Sequence, residues 1–158
     1  MPNAEPDPAP EEVRELIEPF LGLEGPLLPI CHALQEAFGC VPQGAMPVVA
    51  EALNISKAEV HGVVSFYHDF RSRPAGRHVL RICRAEACQA VGADPMAEAA
   101  LKRLGVGWSD TTPNGRITVE PVFCLGLCAC GPAVMLDGQL HARVDGERIS
   151  ELLEGVGA

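Results

Sequence analysis

Aromatic side chains are scarce in this chain: five Phe, one Tyr and one Trp, 4% of 158 residues. Its core must therefore rest on Leu, Val, Ile and Ala. Basic residues are also few, 12 Lys and Arg against 21 Asp and Glu, for a net charge of −9. That balance excludes a nucleic-acid backbone as partner, because phosphate recognition needs basic patches. The uncharged run VFCLGLCACGPAVML (122–136) falls short of the roughly 20 residues a membrane helix needs, and Gly and Pro interrupt it. The opening MPNAEPDPAP has neither the basic start nor the apolar stretch of a secretory signal. A soluble, cytoplasmic protein is expected. No C-x-x-C pair is present either, which excludes a thioredoxin-type redox couple.

What is present fits one ordinary domain or two small ones, with 47% hydrophobic and 21% charged residues. The acidity is local. Residues 1 to 24 carry seven acids against one base, a net −6, whereas the remainder is nearly balanced. This reads as a solvated tail and helix face.

Seven cysteines in a reducing compartment point to metal or redox chemistry before disulfides. Four fall into two tight pairs, Cys83/Cys88 as C-x-x-x-x-C and Cys124/Cys128 as C-x-x-x-C, each where an apolar run breaks into a loop. Two such loops brought together make a four-thiolate cage for zinc or an iron–sulfur cluster. The second spacing suits structural zinc and the first sits at its edge, while the wider loop also occurs in plant-type [2Fe–2S] proteins. Spacing leans to iron and leaves zinc open, the zinc alternative being a colourless interaction module. Gly126 and Gly131 are expected to let the second loop take left-handed angles and aim N–H groups at sulfur. Arg84 is either an added positive charge beside the site or an exposed base with no role.

The pattern along the chain predicts a disordered tail over 1–10, a helical bundle over 11–75 and an α/β domain over 76–158. Pro10 with Glu11 and Glu12 makes a helix start, and Val13, Leu16, Ile17 and Phe20 form its apolar stripe. A second helix runs from Leu27 to Phe38 with Gly39 as its cap. A third begins near Met46. Ser56 and Glu59 form a capping box that opens a fourth through Val60, Val63, Val64 and Tyr67. HVLRIC (78–83) reads as a strand delivering Cys83 to its end, Pro95 to Leu104 as a helix, and ITVEPV (117–122) as a strand after the Asn114-Gly115 turn. A hairpin across Asp137-Gly138-Gln139 and a helix from Glu147 to Leu153 complete the alternation.

The stretches VHGVVSFYHDFRSRPAGRHVLRIC (60–83), AEACQAVGA (85–93) and EPVFCLGLCACGPAVMLDG (120–138) resemble the small, 24 kDa-type [2Fe–2S] subunit of NADH-oxidising complexes. That family includes subunits of respiratory NADH:quinone oxidoreductase, NAD-linked hydrogenases and molybdenum formate dehydrogenases. The resemblance covers about residues 15 to 155. It implies a thioredoxin-like [2Fe–2S] domain behind an N-terminal helical bundle, with Cys83, Cys88, Cys124 and Cys128 as ligands. It further implies an electron-transfer subunit with no substrate chemistry of its own. Its partners would be an FMN/NAD-binding subunit and a larger subunit with the molybdenum cofactor. RAEACQAVGA and CLGLCACGPAVM look most like the gamma subunit of NAD-dependent formate dehydrogenase; the quinone oxidoreductase and hydrogenase subunits are the alternative. Cys130 is expected to be a bystander, Cys31 and Cys40 buried small hydrophobes, and His61 and His68 packing or surface residues on one face of the fourth helix.

Overall fold

The computed structural model describes residues 7–157. Most of the expected tail, residues 1–6, lies outside the described residues. The chain divides into two compact units, 1–74 and 75–158.

The first unit is helical. Helix α1 (Pro10–Ile17) begins with Pro in its first turn and Glu11 and Glu12 beside it, and buries Val13 and Ile17. A short 3-10 turn over Glu18–Phe20 follows. Helix α2 (Leu27–Phe38) ends where Gly39 turns left-handed, at φ 72°. Helix α3 spans Ala45–Leu53 and α4 spans Lys57–Phe66. The Ser56 hydroxyl accepts the Glu59 N–H at 3.2 Å, while the Glu59 carboxylate accepts the Ser56 N–H at 2.8 Å. The Ser56 backbone N–H, then its hydroxyl, hold the Glu59 carboxyl below its ordinary value. Helix α4 stops at Phe66 and Tyr67 is already extended, so His68 lies in the turn beyond and does not share a helix face with His61.

The apolar faces of these helices meet around Ile30, Leu34, Val49 and Val60. Cys31 belongs to that core and Cys40 is buried just after α2, as expected of thiols used for packing. Burial pushes the Cys31 thiol up to about 11.

The second unit is a five-stranded mixed sheet with helices. Its strands are β1 (His78–Cys83), β2 (Asp110–Thr111), β3 (Ile117–Val122), β4 (Val134–Leu136) and β5 (Gln139–His141), in spatial order β2-β3-β1-β4-β5. The helices are α5 (Glu86–Gln89), α6 (Ala93–Leu104) and α7 (Gly146–Gly155). Strands β1 and β3 run parallel, from His78 opposite Ile117 to Cys83 opposite Val122. Their connection carries α6, as a parallel crossover requires. All other neighbours are antiparallel.

Leu80, Ile82, Ile117 and Val119 are fully enclosed, packed with Met96, Ala97 and Ala100 of α6 and Ile149 and Leu153 of α7. Each enclosed aliphatic side chain contributes about 1.5–3 kcal/mol. The β4–β5 hairpin turns on two residues, Asp137 at φ 50° and Gly138 at φ 82°, rather than the expected three. The tighter turn matches strand twist and returns Gln139 to the ladder. Helix α7 is capped by the Asp145 carboxylate, which accepts the Arg148 N–H at 2.8 Å.

Candidate metal centre

Sheet topology determines where the cysteines go. Cys83 is the last residue of β1 and stands opposite Val122, the last residue of the parallel β3. Both strands therefore hand their chains over at the same end of the sheet, and Cys124 follows two residues beyond. Strand β4 runs back from that end, pairing Val134 with Ile82. The 123–133 loop is thus obliged to pass the end of β1. Two backbone bonds fix it there: Cys83 N–H to the Ala133 carbonyl at 3.0 Å, and Arg84 N–H to the Val122 carbonyl at 2.7 Å.

The Cys83–Cys88 interval is not a plain loop. Ala85 turns the chain into α5, and the Cys88 N–H bonds back to the Ala85 carbonyl at 2.9 Å. One helical turn folds Cys88 toward Cys83, which is why four intervening residues serve. Both cysteines are 1% exposed and belong to the core. The outer pair is exposed, with Cys124 Sγ and Cys128 Sγ 3.6 Å apart.

Thiol electrostatics tie the pairs together. Burial, then the neighbouring Cys83 thiol, push Cys88 upward against the opposing Ala133 N–H, and the charge of Cys128 reaches it too. Cys124 is lowered, first by the Gly126 N–H, which donates to its sulfur at 3.3 Å, then by Cys128. Cys128 is raised by Cys124 first, with the charge of Cys83 adding to it. The four expected ligands therefore occupy one neighbourhood. Among the described residues no three His, Cys, Asp or Glu side chains converge tightly enough for a single ion.

The two loop glycines act differently from each other. Gly126 sits at φ 77° and turns its N–H onto sulfur, in line with the expectation for this loop. Gly131 is extended, at φ −68° and ψ 164°, contrary to expectation. It is needed for space: a Cβ there would lie 3.3 Å from Cys88 Sγ and 3.0 Å from Val91 Cγ2. Arg84, directly after Cys83, is half-buried and partnered, so it is not the exposed base of the second expectation. Its guanidinium lies 5.0 Å from the Trp108 ring centroid and its Nε 3.6 Å from Asp94 Oδ1, held by stacking and an ion pair. Cys130 closes the short 3-10 turn after Cys128, with its carbonyl accepting the Arg143 N–H at 2.8 Å. Cys31 and Cys40 lie in the helical unit. Sequence reasoning missed α5 and gave Gly131 the wrong role; helix-forming Ala-Glu-Ala before Cys88 was the available signal for the first.

A helical N-terminal unit, then a sheet whose strand ends gather two thiol pairs, define a small α/β protein with a thiol-lined site. The chain belongs to the thioredoxin-like [2Fe-2S] ferredoxin family, whose sequence model matches residues 13–157. It is 39% identical over 121 residues to a subunit of the NADH-quinone oxidoreductase of Pseudomonas aeruginosa, spanning 77% of this chain and 73% of that protein. The corresponding subunit of Escherichia coli is 40% identical over the same shares. HndA, a subunit of the NADP-reducing hydrogenase of Solidesulfovibrio fructosivorans, is 33% identical over 148 residues, 94% of this chain and 86% of that one. The fold recurs in an NAD+-reducing [NiFe]-hydrogenase crystallised in the air-oxidized state, with a TM-score of 0.66 at 23% identity. That match covers 80% of this chain and only 22% of the hydrogenase chain.

The cofactor is one [2Fe-2S] cluster, which resolves the choice between iron and zinc. The residues fit it: four thiols at one sheet end, a backbone N–H already on sulfur, and a side-chain-free position against Cys88. No helix among the described residues is long and apolar enough to cross a membrane.

Proposed function

We propose that this chain is the one-electron carrier of a cytoplasmic NADH-oxidising complex, with Cys83, Cys88, Cys124 and Cys128 as the cluster ligands. The observation that carries the reading is the convergence of those four thiols where β1 and β3 end, in a chain of a [2Fe-2S] ferredoxin family. The cluster supplies reversible acceptance of a single electron. The chain's residues do the rest. Cys83 and Cys88 anchor the inner side in the core, Cys124 and Cys128 present the outer side, and the Gly126 N–H stabilises charge on Cys124. Cys130 is a bystander.

A carrier of single electrons needs a neighbour that splits electron pairs, and a flavin does so. The partner is therefore a subunit binding FMN and NAD. The named relatives, subunits of NADH-quinone oxidoreductases and of an NADP-reducing hydrogenase, favour a parent complex of that kind. The formate dehydrogenase reading, with its molybdenum subunit, rests on the wording around Cys88 and Cys124–Cys130.

Anaerobically purified protein should contain two irons and two acid-labile sulfides per chain. It should bleach with dithionite and then give a low-temperature EPR signal. Colourless protein with zinc at the four thiols would refute the reading. For the parent complex, the native assembly should either oxidise NADH with a quinone as acceptor or reduce NAD with formate or hydrogen as donor, and its molybdenum or nickel content should agree.

A further inference from the structure

We infer that the helical unit carries a docking site that does not depend on the cluster: an apolar groove beside α4 that receives an amphipathic helix, flanked by Lys or Arg, from another subunit of the complex. All the groove's lining residues belong to the unit that holds none of the four expected ligands. The inference therefore goes beyond the electron-carrier reading.

Seven large hydrophobic side chains stand exposed among the described residues. Four of them, Leu21, Leu23, Phe66 and Tyr67, line one groove of about 940 Å³. Half-buried Leu53 and Val63 line it too. Such a concentration of bare apolar surface marks an interaction site rather than ordinary scatter. Helix α4 turns Val60 and Val64 into the bundle core. It also carries Glu59, Gly62, Val63 and Phe66 at i, i+3, i+4 and i+7, which is a stripe along the groove. Phe66, at the end of that stripe, is 72% exposed. A second helix packs on such a stripe by setting its own i, i+3, i+4 and i+7 side chains into it.

Gly62 shows how close that helix comes. Glycine inside a helix costs stability relative to alanine, through backbone entropy. Nothing in its own chain forces it here: a Cβ would meet no atom within 4 Å, and no left-handed angle requires its absence. A bare backbone in the middle of an exposed apolar stripe lets another backbone approach.

Charge selects the occupant. Residues 18–28 and 50–67, which form the groove, carry Glu18, Glu24, Glu51 and Glu59 against Lys57 and His61. Arg14 pairs with Glu51 at 3.4 Å. Glu18, Glu24 and Glu59 are exposed, and the capping box fixes the Glu59 carboxylate at the groove. This negative lip complements a helix with basic flanks. A second copy of the chain does not fit, because residues 1–75 hold eleven acids and four bases and would repel their like. Nor does the opening MPNAEP, which has one acid and no base.

The test uses the intact complex, assembled with the full chain carrying a photoreactive benzoylphenylalanine in place of Leu23. The control places the same group at Leu140, exposed on β5 of the other unit. Irradiation should join position 23 to a segment of another subunit with apolar residues at helical spacing and Lys or Arg beside them. Position 140 should not reach that segment. Phe66→Ser should cut the crosslink about tenfold, the scale of a truncated aromatic anchor, and leave the visible and EPR spectra unchanged. Gly62→Ala should raise the Tm of the isolated chain by about 2–4 °C and still cut the crosslink severalfold, a pairing that lost folding cannot produce. A crosslink to a second copy of this chain, to an acidic or non-periodic segment, or to nothing overturns the inference. So does a full crosslink in Phe66→Ser or in a stabilised Gly62→Ala chain. The expected crosslink from a chain that holds no iron would sustain the docking site and sink the electron-carrier reading.

Discussion

Adding one carbon at Gly131 tests whether the second loop is held against the inner thiol. In Gly131→Ala the new Cβ falls 3.0 Å from Val91 Cγ2, 3.3 Å from Cys88 Sγ and 3.5 Å from Cys88 Cα. Val91 is mostly exposed and can rotate away. Cys88 cannot, because it is 1% exposed and its α5 turn is fixed by the bond to Ala85. Extra volume in a packed site costs about 1–3 kcal/mol. The low end is expected here, since one of the two tight contacts yields. A loss of ~1 kcal/mol in a unit of this size lowers Tm by about 4–8 °C. The larger effect should be on the metal site, where the second loop must retreat by a few tenths of an ångström from a ligand. Iron per chain, visible circular dichroism and the rate of iron loss to a chelator measure it. Gly131→Ala should lose iron faster than wild type, and adding Val91→Ala should restore stability in part but not the cluster's lifetime. Full iron content, an unshifted spectrum and wild-type loss kinetics in Gly131→Ala would refute the reasoning.

Other substitutions separate the remaining roles. Cys83→Ser or Cys124→Ser should lose or greatly weaken the cluster, whereas Cys130→Ser should keep the visible spectrum; the reverse for Cys124 and Cys130 would mean the second loop is assigned wrongly. Ser56→Ala removes the α4 cap and should cost about 0.5–2 kcal/mol in thermal unfolding, with cluster content unchanged. Burial alone would raise the Asp137 carboxyl, but the His78 ring, 2.7 Å away, and the Val79 N–H outweigh it and hold it below its ordinary 3.8. A lowered carboxylate stabilises the fold above its unfolded value and loses that contribution as pH falls through the folded one. The stability gap between wild type and Asp137→Asn, read by denaturant titration, should therefore shrink as pH falls below about 4. Cys31, enclosed and with its thiol pushed up to about 11, should resist alkylation until the helical unit unfolds.

Strands β1 and β3 were legible residue for residue, because Val79, Ile82, Ile117, Val119 and Val122 are β-branched and turn signals bound each run. Gly39 and the Ser56/Glu59 pair named their helix ends because each acts through a local backbone bond. The cysteine spacings likewise singled out the four thiols that the fold gathers. The rest was hidden for physical reasons. Strand β2 has two residues, too short for any period, and exists only because β3 lies beside it. The central place of β1 is a tertiary fact, as is the packing of Gly131 on Cys88, which depends on a contact 43 positions away in the chain. Arg84 needed Trp108 and Asp94 in view. The end of α4 before His68 rests on Tyr67 leaving the helix, and no Gly or Pro announces that departure.

Cys83 and Cys88 are at once cage members and members of the apolar cluster that holds the sheet to its helices, whereas the apolar cluster of the helical half includes none of the four. Stripping iron should thus unsettle one half of the molecule from within and leave the other standing. The sheet half would then depend on metal delivery to lock its packing, a demand that the core of the helical half, which holds none of the four thiols, does not make.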